Sequence, residues 1–506
     1  MRTKKAMLNF IYDALPQIII SLIGFVRIKV ILDILGNDTL GIYQLFGQLL
    51  AYVSLADLGL TTAIIFSLYD PIFHKNHKKI NAILNGSRKV FNIIFIIMLA
   101  IGTILTFNIT IFIKETTLNV IFIRTCFFVM MLSSILPYLI VPYASLFDSE
   151  QNKYRYLKYT QALSIIRVVL EVVAIVIFKN LLFIIIMSIV FVSLQNIIII
   201  YLCKKDHKWL SLEEKEDYTF VKKTKELLPH KIGMLIANNI DVVIISTVLG
   251  LTEVVAYTSY MYIVNTLTMI LSKINSSTTS GIGNLIVENK GKKNNKLFNT
   301  FIEYNAFVFF LASIICIPLY SVMSQFVGIV YGNIYVLNNY TLLLFVFLVF
   351  YSIIRNNLNI FANAAGLFKE TLICVFIEII INLSLSLVLV HYIGISGVLL
   401  ATALSLLISE YLIKPFILNK HIFKDKIIKY YLENFIYIIY IIGMGYIVNK
   451  VTLLISINNL LIWFIWGILI TLVNFLITLI YYYFILRKRE FIVRTLCIIR
   501  GKKYEI

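Results

Sequence analysis

Any chemistry in this chain must start from a handful of charged side chains set inside long apolar runs. Arg27, Arg167, Lys273 and Arg355 are the cations that stand out, and Asp57, Glu171, Asp241 and Glu378 are the acids. A charge at the middle of a membrane helix costs about 2.5–3.5 kcal/mol on the insertion scale, so it usually faces a partner or a wet cavity. Buried cations suit phosphate, which arginine grips with two parallel bonds and lysine meets as a point charge. Interior carboxylates suit coupling to a proton or sodium gradient, since their charge changes as a cleft alternates between sides.

Each of these residues has a competing structural role. Arg27 lies nine residues before Gly36, about 13 Å along a helix rising 1.5 Å per residue, which puts it near mid-bilayer as a candidate ligand contact. Asp57 and Lys273 correspond at an offset of 216 residues and read as an acid and a base seen from two halves of one cavity; helix capping or helix pairing is the alternative for Asp57. Arg167 and Glu171, like Lys29 and Asp33, are four apart and can neutralise each other along one helix face. Asp241 with Asn238 and Asn239, Glu378 with Asn382, and Arg355 with Asn356, Asn357 and Asn359 form polar patches. These either hydrogen-bond between helices or line a cavity. Arg124 is about six residues from its helix end and can snorkel to the interface.

Catalytic motifs are missing. Gly281-Ile-Gly283 lacks a third glycine and follows a helix rather than a strand, and there is no P-loop lysine, so neither a dinucleotide site nor an ATPase is indicated. The six histidines never fall at metal-ligand spacing, and His74 and His77 sit in a basic loop. The five cysteines, Cys126, Cys203, Cys316, Cys374 and Cys497, are scattered singly and read as small apolar packing residues. No enzyme active site, metal site or bound cofactor is expected; a proton or sodium gradient can supply the energy.

The elements that position these charges are membrane helices. Of 506 residues, 60% are hydrophobic and 14% charged, with a mean hydropathy of +0.90, so the predicted class is an all-α polytopic membrane protein. Apolar runs predict about fourteen spans, near 7–34, 40–69, 89–113, 118–147, 159–178, 181–203, 231–250, 254–287, 300–328, 338–364, 371–391, 394–415, 431–449 and 458–486. With a cytoplasmic N-terminus, inside segments hold 36 Lys/Arg and outside connections only Lys114, Lys179 and Lys450. That is the positive-inside asymmetry. It puts both termini in the cytoplasm and accounts for the net charge of +19 without nucleic acid. The wealth of Ile, Lys, Asn, Phe and Tyr fits an AT-rich bacterial genome, hence a bacterial inner membrane.

An internal repeat organises the spans. Leu15-Pro16 recurs at Leu228-Pro229, Leu35-Gly36 at Leu249-Gly250, Tyr43 at Tyr257, and Asn152-Lys153 at Phe368-Lys369, with offsets of 213, 214, 214 and 216. Six helices precede the second copy, so the copies are parallel. The expected organisation is a six-helix bundle over 1–203, a cytoplasmic linker over 204–230, a second bundle over 231–415, helices 13 and 14 within 416–486 and a basic tail over 487–506. The stretch from Lys204 to Lys231 mixes eight basic and six acidic residues with Trp209, Leu210 and Leu212, fitting either an interfacial helix or a solvated tether. The tail has the composition of a surface helix held by anionic membrane lipid.

Leu35-Gly-Asn-Asp-Thr-Leu-Gly-Ile-Tyr43, Leu55-Ala-Asp-Leu-Gly-Leu60, Leu249-Gly250 with Tyr257, and Asn382 to Val390 followed by Gly394-Ile-Ser-Gly-Val-Leu-Leu-Ala-Thr402 resemble the polysaccharide exporters and O-antigen flippases. These belong to the multidrug/oligosaccharidyl-lipid/polysaccharide superfamily. The resemblance covers roughly residues 7 to 415. It implies two six-helix bundles, alternating access, and flipping of an undecaprenyl-pyrophosphate-linked oligosaccharide to the outer leaflet, beside a polymerase and glycosyltransferases of the same pathway. In the related lipid II flippase, cavity arginines on helices 1 and 8 matter; Arg27 is placed like the first, and Lys273 keeps the charge of the second without its fork. Helices 13 and 14 resemble that flippase's lipid-tail groove. Competing functions are lipid II flipping, multidrug antiport, which suits about twelve helices and an acidic cavity, and a sugar polymerase or ligase, which normally needs a large external loop.

Overall fold

A computed structural model describes residues 2–53, 59–211, 213–224, 239–275, 296–423 and 427–486. It is 89% helix, and no strand occurs among the described residues. The chain is a multi-pass membrane protein: eleven described helices are long and apolar enough to cross a bilayer.

The first half is built from α1 (Arg2–Leu35), α2 (Asn37–Val53), α3 (Leu60–Phe73), α4 (His77–Asn108), α5 (Val120–Ile135), α6 (Val141–Ser149), α7 (Tyr154–Phe178), α8 (Leu181–Asp206) and the short α9 (Thr219–Thr224). Then follow α10 (Asn239–Val248), α11 (Leu251–Asn275), α12 (Lys296–Val330), α13 (Asn339–Ala364), α14 (Phe368–Ile393), α15 (Ile395–Leu406), α16 (Ile427–Thr452) and α17 (Leu460–Ile480). The described residues divide into two compact units, Met1–Thr258 and Ser259–Ile506.

Local sequence sets the helix ends. Asn76, Asn119, Asn180, Asn338 and Asn459 each accept a hydrogen bond from a backbone N–H in the first turn of the helix that follows, satisfying donors that lipid could not. The repeated Leu-Gly pairs share one backbone solution. Gly36 has φ +84° and Gly250 φ +120°, a region open to glycine and rarely to other residues. At Gly397 a Cβ would lie 2.3 Å from the Leu389 carbonyl oxygen, so its absence lets α15 turn back tightly against α14.

Two boundaries differ from expectation. The basic stretch 70–89, predicted as a loop, already enters α4 at His77, because Asn76 caps there ahead of the apolar run. The span predicted at 394–415 runs on to Phe423. Helix continues from α15 through a π-helical stretch, Leu407–Ile413, into Lys414–Leu418 and a second π-helical turn, Asn419–Phe423.

The described part of the linker is neither a surface helix over its first half nor a loose tether. Asn81 donates to the Trp209 carbonyl at 3.2 Å, Asn85 to the Glu214 carbonyl at 3.1 Å, and the Asp217 N–H to the Ala82 carbonyl at 2.9 Å. Gly86 admits this approach, since a Cβ there would meet the Asp217 oxygen at 2.3 Å. His207 Nε2 lies 3.0 Å from Glu150 Oε1. Burial opposes charge on this imidazole, but the Glu150 hydrogen bond and charge, with Asp206 adding to them, raise its pKa above the ordinary value. The pairing therefore stabilises the clasp fully below the unfolded pKa of about 6.5 and fades as pH rises through the higher folded value. Backbone amides of 207–211 and 213–217 should lose protection from deuterium exchange, measured against the intrinsic rate at each pH, on going from pH 6 to pH 8.5, and His207→Gln should remove that pH difference.

In the second unit, amides act as glue where apolar surface gives helices no reason to associate. Asn434 of α16 accepts from Asn305 of α12 at 2.6 Å, and Asn305 accepts from Asn357 of α13 at 3.1 Å. Asn474 of α17 donates to the Ser313 carbonyl at 3.0 Å. Helices α16 and α17 are thus tied to α12.

Candidate functional site

Among the described residues, each unit holds one network of buried ions that joins more than one helix. In the first unit, Arg27 of α1 donates from Nη1 to Glu171 Oε2 of α7 at 2.6 Å, and Arg167 Nε lies 3.5 Å from Glu171 Oε1. Glu171 is only 2% exposed. The i,i+4 spacing predicts an Arg167–Glu171 pair, and that pair exists, but the shorter contact comes from another helix. The Tyr43 ring of α2 lies 5.7 Å from the Arg27 guanidinium carbon, within reach of a cation–π attraction. Arg167 also donates to Ser188 of α8 at 3.3 Å, and Ser188 bonds Ser133 of α5 at 2.8 Å.

In the second unit, Arg355 Nη2 stands 3.4 Å from Glu378 Oε2 of α14 and 3.4 Å from Glu410 Oε1 in the π-helical stretch. Lys414 Nζ is 2.7 Å from Glu410 Oε2 and donates to Asn359 as well. Glu410 is fully buried at 0% and Lys414 at 5%. Two cations thus face two carboxylates in an alternating chain. Interrupted helical hydrogen bonding of the π type often marks functional positions, and here it coincides with the buried Glu410.

Asp241 belongs to neither network: it accepts from the Tyr257 hydroxyl at 2.9 Å. Asn382 of α14 donates to Thr402 of α15 at 2.8 Å, a hydrogen bond between helices. Lys29 and Asp33 pair at 2.8 Å on an exposed face, and Arg124 donates to the Phe107 carbonyl at 2.7 Å. Asp57 lies outside the described residues. Lys273 is on α11, with its side chain outside them too.

Glu410 and Lys414 fall inside the span predicted at 394–415 but are not among the charges singled out from the sequence. The signal existed: the two are four apart inside Leu406-Leu-Ile-Ser-Glu-Tyr-Leu-Ile-Lys414, a stretch too apolar to be read as a solvated connection.

No protein family's sequence profile matches the chain, and no curated protein sequence matches it significantly. Among solved structures it is similar to the lipid II flippase MurJ in an inward closed conformation: TM-score 0.66 at 14% identity, over 93% of this chain and 98% of that one. An inward-facing multidrug resistance MATE family transporter of the MOP superfamily gives 0.58 at 17% identity, over 80% of this chain and 96% of that one. A mutant of the Vibrio cholerae MATE transporter VcmN gives 0.56 at 14%, over 83% and 98%. The chain shares their fold. At these identities the likeness is one of fold, and it is the fold that the exporter resemblance implies. The MurJ structure aligns with more of this chain than either MATE structure does.

Proposed function

We propose that this protein is a flippase that carries an undecaprenyl-pyrophosphate-linked oligosaccharide from the inner to the outer leaflet of a bacterial inner membrane. Both termini face the cytoplasm, and ion-coupled alternating access drives transport. The observation that carries the reading is the convergence of two guanidinium groups, Arg27 and Arg167, from different helices on one buried carboxylate. Guanidinium forks match phosphate oxygens in shape and charge, and holding two of them inside a membrane is costly unless they have a task. A gradient of protons or sodium would supply the work. The sugar is set by surfaces other than this ion cluster, so a peptidoglycan precursor is the second reading, favoured by the 93% alignment with MurJ.

Purified protein in liposomes, loaded with a fluorescent undecaprenyl-pyrophosphate glycan, provides the test. Arg27→Ala should slow its transfer at least about tenfold, the loss of a charged hydrogen bond of about 1.5–3 kcal/mol, while leaving insertion and elution profile intact. Full activity in Arg27→Ala, or equal flipping of a lipid with an uncharged headgroup, would reject the reading. Competition by excess lipid II distinguishes the two glycans.

A further inference from the structure

Glu171 is an odd partner for two arginines if its task is only to hold helices together. Ser188 already anchors Arg167 at 3.3 Å, so Arg167 does not depend on Glu171 alone. What a carboxylate offers is the charge and planar two-oxygen shape that a phosphate also presents. Its Oε2 takes Arg27 and its Oε1 faces Arg167, so each guanidinium meets one oxygen, as it would on a bridging anion. The carboxylate belongs to α7, whereas Arg27 belongs to α1. A ligand that took over Arg27 would therefore loosen one helix from the other.

We propose that Glu171 is a built-in stand-in for the substrate's phosphate. With the site empty it neutralises the guanidinium groups in a low-dielectric surround. When a diphosphate arrives, its oxygens take Arg27, and the carboxylate, now beside a like charge, gives way. At the far side Glu171 reclaims Arg27 and displaces the phosphate, which turns tight recognition into release. This deepens the flippase reading and rests on it. It assigns Glu171 a positioning role in loading and unloading in place of an ion-coupling role.

The idea predicts an inversion of sign that a structural role would not produce. In nanodiscs, Glu171→Gln should bind undecaprenyl pyrophosphate, and inorganic pyrophosphate as headgroup probe, about tenfold more tightly than wild type, because a competing anion is gone. In liposomes the same variant should flip more slowly by a similar factor, because the displacing group is gone. Glu171→Asp, which keeps the charge on a shorter arm, should fall between the two and serves if the amide variant folds poorly. Weaker or unchanged binding in Glu171→Gln, with wild type binding normally and Arg27→Ala not, would overturn the stand-in and leave the flippase reading in place. Absence of binding by wild type would overturn both.

Discussion

Arg355→Ala is expected to abolish accumulation of folded protein, or to lower its thermal midpoint in detergent by more than any other single change discussed above. The substitution leaves Glu378 and Glu410, 6% and 0% exposed, without the guanidinium that lies 3.4 Å from each. Removing one partner from a buried ion pair costs about 3–5 kcal/mol, and a typical fold has a margin of only about 5–15 kcal/mol. Lys414 still pairs with Glu410, so the acute fault is at Glu378. Arg355→Met combined with Glu378→Leu should therefore recover most of the stability, since apolar replacement of a whole buried pair is often neutral. Fluorescence-detected size-exclusion chromatography and a melting series would measure both. If Arg355→Ala keeps the wild-type midpoint while the double variant falls, the network is not structural, and Arg355 returns to the list of candidate substrate cations.

That contrast shows how far the sequence could be read. The helices and the all-α class were legible because lipid forces every backbone polar group into helical bonds, whereas ends such as the Asn76 cap were not. The glycines at 36 and 250 take the same positive-φ turn in both copies. Individual ions were legible as anomalies, but their partners were not. Spacing of four along a helix predicts the Arg167–Glu171 and Lys29–Asp33 pairs, whereas Arg27 reaching Glu171 across 144 positions depends on how α1 lies along α7, which no local pattern encodes. Arg355 shows the same limit: its asparagine neighbours suggested a patch along one helix, and its actual partners come from two others. The π-helical stretch after residue 406 was also hidden, because no local sequence pattern marks it. Asp241 illustrates the converse case. Its tyrosine partner at residue 257 was recognised only as a repeat marker, and the hydrogen bond between them joins consecutive helices.

Locking Asn37 to Thr252 is expected to stop transport completely and reversibly. Asn37 Nδ2 donates to Thr252 Oγ1 at 2.8 Å, one residue beyond the Gly36 turn and two beyond the corresponding Gly250 turn. Beside this bond α2 and α11 approach so closely that a Cβ on Gly41 would lie 2.9 Å from both the Leu251 side chain and its carbonyl oxygen. Ser246 adds a bond to the Phe112 carbonyl at 2.6 Å. An open cleft of ≈ 640 Å³ lined by Asp38, Lys114, Thr252 and Glu253 lies at the same rim, and none of the buried ions lines it. In the proposed topology this rim faces outward, and alternating access requires it to part whenever cargo leaves. Two side-chain hydrogen bonds and one close glycine approach hold this rim, contacts that a difference in binding energy between two states can open. In Asn37→Cys/Thr252→Cys, oxidation or a short bifunctional thiol reagent should reduce flipping to background and a reductant should restore it, with each single cysteine variant unaffected. Cys126, Cys203, Cys316 and Cys374 are all buried, so they compete little for the reagent. Gly41→Val should act from the opposite direction, prising the rim apart and raising the reactivity of a cysteine at 252 in resting protein. Undiminished transport in the fully crosslinked variant would mean that this rim never opens, and the release path would have to be sought elsewhere in the chain.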